Sequence, residues 1–268
     1  MTDALAGARR SNPWLVLAVL LAIYIVNFAD RYLITGLVGP IKAEFGLGDT
    51  FMGLLMGPAF VVLYVLMGVP IARLADRSSR IRIIAAGCVV WSLATIATGL
   101  ATGPATLALS RIGVGVGEAA FVAPAYSLMA DYFKVERRGL ALAILGLATY
   151  FGQILGQGGG PAIAAVAGWR MAFWSIGAAG VVLGVVALAL VREPVREAAG
   201  PGSQAALPFR ALLALMGRTP AMALITAAIA FGIAWWHAGK PGRALAQGVV
   251  SVALVAGLAL VVLLPLLG

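Results

Sequence analysis

Charged side chains are scarce in this sequence. Aspartate, glutamate, lysine and arginine make up 11% of its 268 residues, whereas about a quarter of a soluble domain is charged. Hydrophobic residues make up 62%, and the mean hydropathy is +1.02. A soluble fold could not bury so much apolar surface, so the composition predicts an all-α polytopic membrane protein surrounded by membrane lipid.

Histidine and cysteine occur once each, as His237 and Cys88. A single cysteine excludes an internal disulfide, and so few ligands argue against a metal site or a Cys/His nucleophile. The sequence also lacks a phosphate-binding loop of the GxxxxGKS type. We therefore expect neither an enzyme nor an ATP-driven pump, and neither a metal nor another cofactor.

Negative charge is the rarer sign, and the formal net charge is +9. The basic residues lie in short segments between apolar runs, and most of them fall on the side of the N-terminus. This pattern follows the positive-inside rule and does not resemble a nucleic-acid-binding patch. It predicts an inner-membrane protein with a cytoplasmic N-terminus. The apolar run after Arg9 and Arg10 is too long for a signal-peptide core.

Windows of about twenty apolar residues predict eight membrane spans. The segment after the sixth span mixes charge with proline and glycine and then gives the amphipathic stretch FRALLALMGR, which is typical of an interfacial linker. The eight predicted spans are 13–36, 50–72, 82–101, 104–132, 139–167, 170–191, 220–236 and 244–267. The predicted domains are a cytoplasmic N-terminus (1–12), a six-helix N-terminal bundle (13–191), a cytoplasmic linker (192–219) and a partial second bundle of two helices (220–268).

The fourth span contains the stretch SRIGVGVGEAA, which places two charges at membrane depth. Arg111 and Glu118 are seven residues apart, so they lie on one helix face about 10 Å apart. Each buried ionisable group costs at least roughly 2.5–3.5 kcal/mol on insertion scales, which favours a functional role over a pair that only locks two helices. The opposite face carries small residues suited to close helix packing. These are Gly113, Gly117, Ala120 and Pro124.

The first span contains NFADRY, with Tyr24, Asn27, Asp30 and Arg31 on one arc of the helix. Two three-helix repeats of inverted topology would make the first and fourth spans counterparts around a central cavity. A carboxyl group there can load and release a proton as the cavity opens to either side. We predict that Asp30 and Glu118 carry protons and that Arg31 and Arg111 are their switchable partners.

Two charged segments near the predicted cytoplasmic side read GVPIARLADRSSRIR and DYFKVERRG. Acids among arginines can form charge-assisted pairs that close in one conformation and open in the other. The alternative is that the positive charge only anchors the topology. The predicted cytoplasmic gate comprises Gly68, Asp76, Arg77, Arg80, Asp131 and Arg137.

The fifth span reads YFGQILGQGGGP. Gly152, Gly156 and Gly160 recur every four residues, which predicts a close helix contact. The neighbouring polar arc could meet a solute, or its glutamines could simply bond to another helix. The predicted substrate-binding residues, from this and other spans, are Tyr24, Asn27, Tyr126, Tyr150, Gln153 and Gln157.

GVPIARLADRSSR resembles the loop signature of the major facilitator superfamily, and RIGVGVGEA is similar to its fourth-helix signature. Together with NFADR, MADYFKVERRGLALAI and a terminal REP, they resemble the bacterial branch of the spinster-like transporters over about residues 12–195. The resemblance implies a six-helix bundle, alternating access between two bundles, and proton coupling through the charges of the first and fourth helices. Animal spinster relatives are associated with lysophospholipids and sphingolipids, which implies a small amphiphilic solute.

Two features depart from the family pattern. The fifth span has GQGGGPA where antiporters carry a GPxxGG ending, which counts against drug/proton antiport. The family has twelve spans, and the sequence after Phe231 matches nothing familiar in it, so we expect a truncated or altered second bundle. The leading hypothesis is a proton-coupled secondary transporter for an amphiphile such as a lysolipid or drug-like compound. The alternative is a non-transporting remnant or scaffold, and a homodimer could supply the missing bundle.

Overall fold

The computed structural model describes residues 11–194, so the linker from 195 onward and the last two predicted spans lie outside it. Within 11–194 the structure is all-helical and contains six stretches long and apolar enough to cross a membrane. Each of the six overlaps a predicted span, which confirms the all-α architecture. The six spans are Pro13–Gly36, Asp49–Arg77, Arg80–Gly99, Pro104–Tyr132, Val135–Ala167 and Trp169–Leu190.

Four of these regions are broken or extended by short helices. The helices are α1 (Pro13–Gly36), α2 (Val38–Phe45), α3 (Asp49–Met56), α4 (Pro58–Arg77), α5 (Arg80–Gly99), α6 (Pro104–Glu118), α7 (Val122–Tyr132), α8 (Val135–Gly146), α9 (Ala148–Ile154), α10 (Gly160–Ala167) and α11 (Trp169–Leu190). A π-helical turn, Leu155–Gly159, joins α9 to α10. Single π-helical turns of this kind are rare and occur mostly inside longer helices.

The ends of the helices follow from local sequence signals. Asn12 caps α1 by accepting a hydrogen bond from the Trp14 backbone N–H at 2.9 Å, and Pro13 occupies the first turn. Ser79 caps α5 in the same way through the Arg82 backbone N–H. Such caps satisfy backbone donors that a helix leaves unpaired at its start.

Glycines bring the fifth span against α1. A Cβ placed on Gly152 would lie 2.4 Å from the Cβ of Phe28, and one on Gly156 would lie 2.4 Å from the Ala29 carbonyl oxygen. Only a residue without a side chain allows the two backbones to come so close. The predicted small-residue contact of the fifth span is therefore confirmed, and its partner is the helix that carries Asp30 and Arg31.

The small-residue face of α6 packs on α5. A Cβ on Gly117 would lie 2.5 Å from the Trp91 backbone nitrogen, and one on Gly113 would lie 3.0 Å from the Cβ of Ala94. The opposite face of α6 carries Arg111 and Glu118, whose side chains reach α1, and Gly115, where an added Cβ would lie 3.5 Å from the Phe60 ring of α4. The predicted division of α6 into a packing face and a charged face is confirmed.

We expect Gly152→Ala to lower the stability of the bundle, because the added methyl group has no room against α1. Overpacking of this kind costs about 1–3 kcal/mol. The measurement is the unfolding midpoint of the purified protein in a mild detergent. Gly146→Ala is the matched control from the same span, since its new Cβ would meet nothing within 4 Å. Equal midpoints for the two variants would contradict the close contact.

Candidate functional site

Two ion pairs cross between α1 and α6. A guanidinium nitrogen of Arg111 lies 3.3 Å from Oδ1 of Asp30. Arg31 donates to Oε2 of Glu118 through Nε at 3.1 Å and also through Nη2. Each helix therefore supplies one acid and one arginine, and each acid pairs with the arginine of the other helix. The structure brings together all four residues predicted to carry or balance protons.

Burial makes these pairs unusual. The side chains of Asp30 and Glu118 are fully buried, and 4% of the Arg111 side chain is exposed. The Arg31 side chain is 28% exposed. Ions removed from water this way are stable only when paired, so either helix would carry an uncompensated charge without the other.

One carboxylate oxygen of each acid takes no part in its ion pair. Oδ2 of Asp30 and Oε1 of Glu118 are buried and have no hydrogen-bond partner among residues 11–194, and the same holds for the side-chain nitrogen of Asn27. An unpartnered buried oxygen is costly unless another group or a proton occupies it for part of the time. The arrangement can therefore accept a proton on one oxygen while the other still faces its arginine.

Three aromatic rings surround the guanidinium of Arg31. Its central carbon lies 5.2 Å from the ring centre of Phe28, 4.8 Å from that of Phe60 and 5.1 Å from that of Tyr64. We call these three rings the aromatic box. Sequence reasoning missed it, although Phe60 and Tyr64 are one helical turn apart on the second span and Phe28 is one turn before Arg31.

The predicted substrate-binding residues separate into two groups. Tyr24 and Asn27 are buried, and the Tyr24 ring packs 4.8 Å from that of Phe121 in the core. The remaining residues are more accessible: Tyr126 is 38% and Tyr150 67% exposed. Gln153 and Gln157 lie together, with the Gln153 amide nitrogen 3.5 Å from the Gln157 side-chain oxygen.

The predicted gate residues also fall into two groups. Gly68 lies on α4 with open space beside it, and three gate residues are exposed: Asp76, Arg77 and Arg137. Arg80 is 97% buried by contrast, and it pairs with Asp131 at 2.5 Å and with Glu193 at 2.7 Å. These contacts join α5, the end of α7 and the segment after α11, so they hold one bundle together.

Glu193 is a partner that the sequence reasoning missed. It accepts hydrogen bonds from the Ile81 backbone N–H at 3.1 Å and from the Ser79 hydroxyl at 2.9 Å, at the start of α5. Burial by itself raises the pKa of Glu193, but the Ile81 N–H and the Arg80 guanidinium outweigh it and hold the pKa below its ordinary value. A carboxylate at a helix N-terminus is also favoured by the helix dipole. The REP sequence, which contains Glu193, was the feature of the sequence that could have indicated this contact.

Comparison with known proteins identifies the family. Residues 20–268 match the sequence pattern of the Major Facilitator Superfamily. The chain belongs to the Major Facilitator Superfamily. It is 35% identical over 185 residues to an MFS-type efflux pump of Mycolicibacterium smegmatis, a match that covers 69% of this chain and 43% of the relative. It is 32% identical over 197 residues to human Protein spinster homolog 1, covering 72% of this chain and 37% of that protein.

Solved structures give the same result for the family. The crystal structure of a bacterial homolog of the human lysosomal transporter Spinster, in an inward-facing and unoccupied conformation, superimposes with a TM-score of 0.70. Its sequence is 31% identical, and the match covers 84% of this chain and 53% of the solved one. The facilitator fold and the spinster-like resemblance are confirmed. The chain spans about half the length, or less, of the relatives it matches.

The opposite end of the helical bundle carries a second ionic cluster that was not predicted. Both terminal nitrogens of Arg170 donate to the carboxylate of Glu44 on α2, at 2.7 and 2.6 Å. The Trp169 indole N–H donates to the same carboxylate at 2.7 Å, and Arg170 also reaches the Ala101 carbonyl oxygen at 3.0 Å. Hydrogen bonds from Arg170, and then from Trp169, lower the pKa of Glu44 to about 2.

We expect Arg80→Ala to lower the stability of the bundle by about 2–3 kcal/mol, because it removes a buried charge and leaves two carboxylates without their partner. Arg77→Ala, at an exposed position of the same predicted gate, should change stability by less than about 0.5 kcal/mol. Thermal unfolding in detergent compares the two variants. A loss at Arg77 as large as that at Arg80 would show that the buried pairs do not hold the bundle.

The lowered pKa of Glu44 predicts that the stability of the protein depends on pH. Its folded-state pKa of about 2 lies below the ordinary value of 4.5, so the stabilisation is fully present above pH 4.5 and is lost as the pH falls toward 2. Stability should therefore fall less steeply in this range for Glu44→Gln than for the parent protein. Unfolding midpoints measured between pH 5 and 3 check this, with the exposed Glu136→Gln as control. Identical slopes for all three proteins would contradict the assignment.

Proposed function

We propose that this chain forms the N-terminal bundle of a secondary active transporter that moves a small amphiphilic solute by alternating access and is coupled to protons. The transporter would lie in the cell inner membrane with its N-terminus in the cytoplasm. Membership of the facilitator family and the six spans support the transport role. The excess of basic residues on the N-terminal side supports the orientation.

The observation that carries the proton coupling is the crossed pairing of Asp30 and Glu118 with arginines, each acid keeping a buried oxygen without a partner within residues 11–194. A pair that served only to lock α1 to α6 would gain by satisfying both oxygens of each acid. Groups that are expensive to bury and left partly unsatisfied are typical of proton relays in transporters.

In the proposed cycle, a proton from one side of the membrane binds Oε1 of Glu118. The neutral carboxyl group then holds the Arg31 guanidinium less strongly, because the attraction between opposite charges is lost. The weakened contact lets α1 and α6 shift relative to each other. The proton leaves to the other side once the cavity has reopened there, and the ion pair forms again. Asp30 and Arg111 would act in the same way.

The proposed solute is amphiphilic, such as a lysolipid or a drug-like compound. The relatives named an efflux pump and spinster proteins support this class. The accessible polar side chains of Tyr126, Tyr150, Gln153 and Gln157 would meet its polar part, and the buried Tyr24 and Asn27 would shape the inner end of the cavity. Membrane lipid, protons and the solute are the proposed partners.

A complete transport path in this family lies between two bundles, and the described residues form one. Residues 220–268 would contribute to a partial second bundle, and a homodimer would be another source of it. The alternative function is a scaffold or remnant that folds and does not transport. Sedimentation in mild detergent separates a dimer from a monomer, and transport assays on the same sample separate a transporter from a scaffold.

We expect Asp30→Asn and Glu118→Gln each to abolish transport driven by a pH gradient, because neither amide can bind and release a proton. The assay is the flux of a fluorescent lysolipid in proteoliposomes with an imposed pH gradient, compared with protein-free vesicles. Glu136→Gln, at an exposed acid on α8, is the control and should transport as the parent does. If both carboxyl variants kept full pH-driven flux, proton coupling through these residues would be wrong.

A further inference from the structure

The aromatic box contains more recognition chemistry than the proton step uses. Proton exchange on Glu118 requires the carboxyl group and Arg31, yet three ring faces also meet that guanidinium at 4.8–5.2 Å. Phe60 is buried, and its ring stacks 6.0 Å from that of Tyr64 with an angle of 22° between the planes. Rings with negative faces around one point, beside a carboxylate, form a site for a cation.

The present occupant of the aromatic box is accessible from outside the bundle. Arg31 is 28% exposed, whereas the carboxylate of Glu118, to which it donates, is fully buried. Since the guanidinium contacts both that carboxylate and the three rings, a molecule that took its place would meet the same groups. The unpartnered oxygen of Glu118 gives such a molecule a second acceptor.

We propose that the aromatic box binds the headgroup of a monovalent organic cation, which competes with the Arg31 guanidinium for the three rings and for Glu118. The inference rests on the proposed transport function and names the substrate class for the same site. Displacement of Arg31 by the headgroup would break the same ion pair that protonation of Glu118 weakens. Binding of the solute and of the proton would thus act on one contact.

The chemistry of the aromatic box selects against other ligands. Ring faces attract weakly hydrated cations such as quaternary ammonium or guanidinium groups, which lose little on leaving water. An anionic headgroup would meet the negative faces of the rings and the Glu118 carboxylate. The apolar tail of the ligand could lie against Val61 and Val65, which are 53% and 58% exposed and belong to α4, the helix that carries Phe60 and Tyr64.

The first test uses the full chain in lipid nanodiscs and radiolabelled dodecyltrimethylammonium, with protein-free nanodiscs as the blank. We expect saturable binding that is displaced by dodecylguanidinium and not by dodecyl sulfate or the uncharged dodecanol. Displacement by dodecanol as effective as that by dodecylguanidinium would overturn the proposal, since the site would then recognise only the chain. Absence of saturable binding would overturn it as well.

Variants of the rings then locate the binding. Tyr64→Leu should weaken binding of the probe by roughly threefold to thirtyfold. Phe151→Leu, which removes an exposed ring outside the aromatic box, should bind as the parent does. Arg31→Ala should bind more tightly, because the internal competitor is gone. If Tyr64→Leu binds like the parent, or if Arg31→Ala loses binding in a sample that still elutes as a single folded species, the rings only hold Arg31 in place.

The outcomes separate this inference from the proposed function. Ring-dependent binding of the cation without any pH-driven flux would retain the aromatic box as a binding site and reject transport. If a pH gradient drives flux but binding of the cation does not depend on the rings, the transport proposal is retained and the aromatic box is rejected as the binding site. Both readouts come from the same purified protein.

Discussion

The crossed ion pairs between α1 and α6 constrain how the other helices of the bundle can be arranged. Two acids and two arginines lie in a region where isolated charges are not stable, and each is neutralised by a residue on the other helix. A rotation or translation of either helix would therefore strain both pairs at once. The position of the first span relative to the fourth is therefore tied to these two ion pairs.

Glycine makes the required approach of the helices achievable. Gly152 and Gly156 allow the fifth span to lie directly against the backbone of α1, and Gly117 does the same for α6 against α5. These glycine contacts use the uncharged faces of α1 and α6, which leaves the charged faces of the two helices to interact with each other. The ionic clusters around Arg80 and around Glu44 then join the helix ends on the two sides of the bundle.

Buried charge also links stability to the proposed activity. A pair that is strong enough to fix two helices must be weakened before those helices can move, and a proton or a competing cation on Glu118 would each do so. Arg31 is involved in both stability and the proposed activity, because it pairs with Glu118 and occupies the aromatic box. In the proposed scheme, this contact would stabilise one arrangement of the helices and would be broken by a proton or by an organic cation.

Much of this structure follows from the sequence alone. The spans follow from apolar runs of sufficient length, and the two faces of α6 follow from the spacing of Arg111 and Glu118 against Gly113 and Gly117, because helical periodicity converts spacing into direction. The prediction that Asp30 and Glu118 lie near each other assumed two repeats of inverted topology, and the structure brings both acids to the contact between α1 and α6.

Tertiary structure alone decided which groups meet. The crossing of the pairs, the rings around Arg31 and the contact of Glu193 with Arg80 all join residues far apart in the chain. Local spacing has no information about the distance between separate helices, which depends on how closely their glycine faces pack. The sequence by itself therefore determined which faces carry charge, and the packing of the helices decided which partner each charge received.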